Sequence, residues 1–202
     1  MSSKLIILIG FPKCGTSSFN KLFTLLKFKT YHWKYGTKLI GELINNNFKN
    51  QKRLLSFLDK DIESSCPRVC LTQMDLHLND KKGFFPQQTH IDQLYHENRD
   101  ALFILNYRSP ERLLRSFKKW GAYDRRFMDY TPELFQNIDC GLSDDERVLK
   151  MITNHYDMMI QYFSDKPCKF VKFNIENDSL SILSEFIDLK GYKYLPHENK
   201  TR

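Results

Sequence analysis

Residues Lys4–Phe19 read KLIILIGFPKCGTSSF, and this stretch decides the fold. The run Leu5–Ile9 is apolar without a break and ends on Gly10. A strand with one wet face alternates, so an unbroken apolar run predicts a strand covered on both faces. Beyond the second glycine, apolar residues at 19, 22, 23, 25 and 26 recur at helical spacing and predict a helix over Thr16–Leu26. The opening unit is therefore strand, glycine loop, helix. Gly10, Gly15 and Ser17 fit the spacing of the Walker A pattern G-x-x-x-x-G-K-[ST]. The lysine does not fit: Thr16 stands in its slot and Lys13 lies inside the loop.

The rest of the chain extends this unit into an α/β protein. "FKTYHW", "RVCL", "ALFILNY" and "KFVKF" read as further strands. Helices are expected around Lys38–Asn46 and Lys52–Leu58, from Ser109-Pro110 to about Trp120, and over "SLSILSEFI" at the end. Serine caps a helix and proline suits its first position, which fixes the start at Ser109. Ser143-Asp-Asp-Glu146 is a capping box ahead of apolar positions 148, 149, 152, 156, 159, 160 and 163. "NDKKGFFPQQ" and Tyr123–Leu142 read as irregular loops. Alternating strands and helices imply one domain over 1–202, with a mostly parallel central sheet flanked by helices.

Composition bounds the function. The 202 residues suit one domain with a real core, and 41% hydrophobic with 27% charged residues is ordinary for a folded protein. Thirty-one basic against 24 acidic residues give a net charge of +7, spread out rather than blocked. That favours an anionic ligand over a nucleic-acid footprint, so no nucleic-acid partner is expected. Five cysteines form no C-x-x-C pair, which points to a reducing compartment and away from a zinc site. No signal-like segment or membrane-length apolar run is present, so a cytoplasmic protein without a membrane partner is expected.

The loop points to a phosphate. The amides of Cys14–Ser18 would lie at a helix N-terminus, where the dipole favours an anion, and Thr16, Ser17 and Ser18 add hydroxyls. A magnesium-dependent nucleotide enzyme wants an acid at the end of a neighbouring strand, yet "ALFILNY" runs into Arg108. Asp75 is a loosely placed alternative. A thiol-phosphatase loop would put arginine six residues after Cys14, where Asn20 stands. Arg108 precedes the helix beginning at Ser109, and Ser116 lies about two turns beyond Ser109 on the same face. The two can converge on one phosphate, the arginine through forked hydrogen bonds.

Together these residues resemble the sulfotransferases that use 3′-phosphoadenosine 5′-phosphosulfate (PAPS). "PKCGTSS" is similar to that family's P-K-x-G-T-[ST] loop for the 5′-phosphosulfate, with the lysine displaced in the same way. The resemblance implies that Lys13 stabilises the leaving phosphate, while Thr16 and Ser17 bind the 5′-phosphate beside the loop amides of Cys14, Gly15 and Ser18. Arg108 and Ser116 match the family's 3′-phosphate pair, arginine at a strand end and serine eight residues on. "LPHENKTR" resembles the P-x-x-N-K loop, which carries Lys200, Thr201 and Arg202 to the cofactor. PAPS as donor, adenosine 3′,5′-bisphosphate (PAP) as product, no metal, and a small-molecule or carbohydrate acceptor hydroxyl or amine follow as expectations.

In-line transfer needs a base. His32 in "TYHW" is the first candidate, Asp75 the second and His77 the third. Trp33, Tyr35, Phe84, Phe85, Trp120 and Tyr123 are candidates for the acceptor pocket. Two other readings stay open: a nucleoside or nucleotide kinase with an altered loop, and a nucleotide-binding protein without chemistry.

Overall fold

The computed structural model describes residues 3–64, 68–77 and 83–196, with only the backbone of His77. Five parallel strands form the central sheet: β1 (Leu5–Leu8), β2 (Lys29–His32), β5 (Val69–Gln73), β8 (Leu102–Tyr107) and β9 (Lys169–Asn174). Their order is β2-β5-β1-β8-β9, so β1 is the middle strand. Two small antiparallel hairpins, β3 (Lys34–Tyr35) with β4 (Lys38–Leu39) and β6 (Leu76–His77) with β7 (Gly83–Phe84), stand beside it. The helices are α1 (Thr16–Leu25), α2 (Ile40–Lys49), α3 (Asp59–Glu63), α4 (Pro86–Thr89), α5 (Ile91–Glu97), α6 (Pro110–Lys119), α7 (Tyr123–Tyr130) and α8 (Asp144–Phe163).

The unbroken apolar run of β1 is explained by two cores. Leu5, Ile7 and Ile9 face one, with residues of α2, α6, α7 and α8; Ile6 and Leu8 face the other, with Phe19, Leu22 and Phe23 of α1. Successive strand side chains point to opposite faces, so both faces of β1 must be apolar. β8 behaves alike: Phe103 and Leu105 join the first core, Leu102 and Ile104 the second. The chain moves from β1 outward to β2, returns through β5, and then builds β8 and β9 on the opposite side. The loop after β1 therefore lies at the switch point where α/β sheets open a crevice.

Five expectations need correction. The first is "NDKKGFFPQQ", whose described residues hold β7 at Gly83–Phe84 and the start of α4 at Pro86 rather than an irregular loop. Tyr123–Leu142 is not irregular throughout: it holds α7 and a 3₁₀ turn over Pro132–Phe135. Tyr123 and Phe127 are buried one turn apart, but Asp124-Arg-Arg between them breaks up the apolar stripe. "SLSILSEFI" forms a 3₁₀ turn over Leu180–Leu183, not a helix. The Ser179 hydroxyl accepts the amide of Ser181, and the Leu180 amide goes to the carbonyl of Lys193. Lys52–Leu58 gives only a 3₁₀ turn at Ser56–Leu58 running into α3, because the Leu54 amide is taken by the Glu97 carboxylate at 2.7 Å. The helix expected over Lys38–Asn46 runs Ile40–Lys49 instead.

Candidate active site

The loop between β1 and α1 is held by residues far along the chain. Asn106, buried at the end of β8, accepts the Gly10 amide at 3.0 Å and donates to the Cys14 carbonyl at 2.8 Å. His155 of α8 lies within 2.8 Å of the Ile9 carbonyl through Nε2, which must donate there because a carbonyl only accepts. Burial lowers the His155 pKa to about 4, so the ring is neutral near pH 7 and rests against Phe11 at 4.5 Å. Lys13 (φ 68°) and Gly15 (φ 74°) take the left-handed conformation that turns the chain into α1. A side chain on Gly15 would also meet Ile175 at 3.1 Å, a tight contact, so both backbone and space favour glycine there.

The Cys14 amide does not face outward as expected. It bonds the Phe11 carbonyl at 3.2 Å, and the Cys14 thiol is buried beside the Tyr156 hydroxyl at 3.5 Å. Burial pushes that thiol up to about 12, so Cys14 shapes the loop and is no nucleophile. The α1 ladder begins with the Phe19 amide on the Gly15 carbonyl. The amides of residues 16–18 thus occupy the first helical turn, at the positive end of the dipole.

On one side of the loop, Arg108 follows β8 and its Nη1 lies 3.5 Å from the Lys13 carbonyl. The two motifs, 95 residues apart, meet here. Glu176, just past β9, accepts from Arg108 at 2.8 Å, Arg112 at 3.1 Å and the Ser109 amide at 3.2 Å. Burial would raise the Glu176 pKa, but these donors outweigh it and hold the carboxyl below its ordinary range. Arg108 Nε is buried without a hydrogen-bond partner. Arg108, Arg112, Arg115, Ser116 and Lys119 line a cleft of about 270 Å³. Arg108 and Ser116 therefore do share one cleft, with three more cations around them.

On the other side, Thr16 Oγ1 donates to Gln73 Oε1 at 3.4 Å, and Gln73 Nε2 donates to Asp75 Oδ2 at 3.3 Å. The Tyr123 hydroxyl donates to the same carboxylate oxygen at 3.4 Å, while Asp75 Oδ1 is buried without a partner. Burial raises the Asp75 pKa to about 6, against the pull of both donors. His32 Nε2 lies 3.4 Å from Ser17 Oγ, and its Nδ1 lies 3.0 Å from Thr72 Oγ1. Burial lowers the His32 pKa, which keeps the imidazole neutral near pH 7. So His32 and Asp75 both reach the loop hydroxyls, one directly and one through Gln73.

Of the aromatic candidates, Phe85 and Tyr123 are core residues, whereas Trp33 and Trp120 are each 44% exposed. The Lys13 ammonium stands over the Trp120 ring, 4.0 Å from its centroid. His77 has no described side chain, and Lys200, Thr201 and Arg202 lie outside the described residues. Asn106, Glu176 and Gln73 were not foreseen. The polar Asn106 in an otherwise apolar strand, and Glu176 two residues past "KFVKFN", are the sequence signals that could have found the first two.

Among the described residues no group of histidine, cysteine, aspartate and glutamate is placed to hold a metal ion, and no helix is long and apolar enough to cross a membrane. No curated protein matches the chain in sequence. A family model described as a sulfotransferase domain matches residues 5–202. With that match over nearly its whole length, the chain belongs to the sulfotransferase domain family.

Proposed function

We propose that this sulfotransferase-family protein moves a sulfuryl group from PAPS to the hydroxyl or amine of a small-molecule or carbohydrate acceptor. The observation that carries the reading is the meeting of Arg108 with the carbonyl of Lys13 at 3.5 Å. It joins the loop suited to a 5′-phosphate with the cationic cleft suited to a 3′-phosphate. A donor with phosphates at both ends of one ribose spans such a pair.

In this reading the first turn of α1 receives the 5′-phosphate through its amides and the hydroxyls of Thr16 and Ser17. Arg108 and Ser116 receive the 3′-phosphate, with Glu176 holding the guanidinium in place. The acceptor oxygen attacks sulfur, the S–O bond to the 5′-phosphate breaks, and Lys13 neutralises the charge that develops on the departing phosphate. The acceptor's proton passes to His32, which burial keeps neutral and ready to accept it; Asp75 is the second choice. Lys200, Thr201 and Arg202 stay candidates for the 3′-phosphate.

The test is thermal denaturation with PAP against ATP and Mg²⁺. A ligand that binds only the folded state raises the melting temperature. A rise with PAP and little with ATP is expected. A rise with ATP and Mg²⁺ alone would replace this reading with the kinase one, and tight PAP binding without turnover would leave a binding protein.

A further inference from the structure

The mechanism above uses Lys13 but leaves open what aims it. Lysine carries its charge on a long flexible stem that must lose rotamer freedom to be aimed, and here it starts from a left-handed backbone, φ 68°. Burial lowers its pKa, so its surroundings also disfavour the charge. Trp120 answers both costs. The ammonium lies over its ring at 4.0 Å, and a cation over an indole face is attracted by the ring's quadrupole.

The indole is itself fixed. Trp120 caps the C-terminal end of α6, where its amide bonds the carbonyls of Phe117 and Ser116 at 3.0 and 3.2 Å. Arg126 donates to the carbonyls of Trp120 at 3.1 Å and Gly121 at 2.7 Å. The next two residues, Gly121 and Ala122, both adopt positive φ, an uncommon conformation for alanine that the Arg126 clamp helps maintain. The ring also packs on buried Tyr123 at 4.5 Å between centroids. An exposed tryptophan is thus braced by backbone, guanidinium and aromatic contacts, and among the described residues the cation over its ring is the loop lysine.

We propose that Trp120 is a positioning residue for the transfer step: its indole face holds the Lys13 ammonium in its working place at the loop. The inference rests on the reading of Lys13 as the lysine that meets the leaving phosphate. An ammonium has three N–H groups, so the ring engages one side and leaves donors for phosphate oxygens on the other. The contact therefore persists when the nucleotide is bound.

Fluorescence reads this directly. In a Trp33→Phe background Trp120 is the sole tryptophan. Adding Lys13→Met should change the Trp120 emission without any ligand, and that difference between lysine and methionine forms should survive saturation with PAP. No difference in the free protein, or one that vanishes with PAP, overturns the proposal, the second because the lysine would then be leaving the ring. Turnover gives the functional readout, as PAP release from PAPS. Trp120→Leu should lower kcat about two- to fivefold, the range of an exposed cation–π contact, with KM for PAPS unchanged, and Trp120→Phe should restore most of it. A Trp120→Leu rate equal to or above the parent's overturns it too. If PAP does not bind at all, the donor reading fails, and the ligand-free spectra still judge the contact.

Discussion

A Cβ built on Gly10 would stand 1.9 Å from the backbone oxygen of Asn106. The end of β1 and the end of β8 touch so closely that no side chain fits between them, and the Asn106 amide seals the contact from both sides of the loop. Gly10→Ala must therefore push backbone against backbone. The expected cost is about 1–3 kcal/mol or more, measured by urea denaturation. Gly141→Ala is the control: its nearest neighbour would be a flexible aspartate at 3.3 Å, and it should be close to neutral.

Lys13→Ala should cost on the order of 10²–10³-fold in kcat with little change in PAP affinity, because in the proposed transfer its contribution arises as the leaving phosphate gains charge. Single-turnover rates and PAP titration together check this. A large loss of PAP affinity at near-native rate would make Lys13 a binding residue instead.

Arg108→Ala should weaken PAP by roughly 2–4 kcal/mol and adenosine 5′-phosphate hardly at all. Calorimetry with the two nucleotides separates the cases. Equal losses would mean that Arg108 acts on the loop through the Lys13 carbonyl rather than on the 3′-phosphate.

The position of the pH limb alone will not name the base. Burial drives His32 below its ordinary value and lifts Asp75 to about 6, so the two shifts move the limbs toward each other on the acid side of neutrality. Each group must lose its proton to act, so kcat should rise with pH through that region whichever one serves. The variants decide. His32→Ala should flatten the limb and lower kcat about 10²–10⁴-fold while leaving PAP binding intact. The opposite result, with Asp75→Asn inactive and His32→Ala unaffected, moves the base to the end of β5.

Asp75 also makes a prediction about stability. Its folded pKa of about 6 lies above the ~3.9 of an unfolded chain, so the folded state holds the proton longer. That contribution is fully present below pH ~3.9 and is lost as pH rises through about 6. Asp75→Asn removes the loss. The variant should be more stable than the parent by on the order of 2–3 kcal/mol at pH 8 and similar to it at pH 4. Urea midpoints at the two pH values measure the difference.

The sequence disclosed what depends on neighbours a few residues apart. The strand–loop–helix unit, the Ser109 cap and the Ser143 capping box are all local patterns, and each stands where its pattern places it. α7 stayed hidden because Asp124, Arg125 and Arg126 dilute its apolar spacing, although Arg126 earns its place by clamping the turn before it. The final segment kept helical spacing at Leu180, Leu183 and Ile187, yet most of its amides reach back only three residues, as in a 3₁₀ turn, and the Leu180 amide goes to Lys193. In the site, Arg108 and Ser116 could be paired in advance because one helix joins them. Asn106, Gln73 and Glu176 could not, since each acts on a partner 57 to 96 residues away.

The loop's own residues fall within the first 18 positions, but its shape is imposed by Asn106, His155, Tyr156 and Ile175. An N-terminal fragment would carry the whole motif and none of its form. During synthesis the loop must wait for β8, α8 and β9 to arrive, so it takes its form among the last parts of the fold. On the proposed reading, nucleotide binding would accordingly report completed folding, and a chain trapped before β9 docks would be blind to PAP.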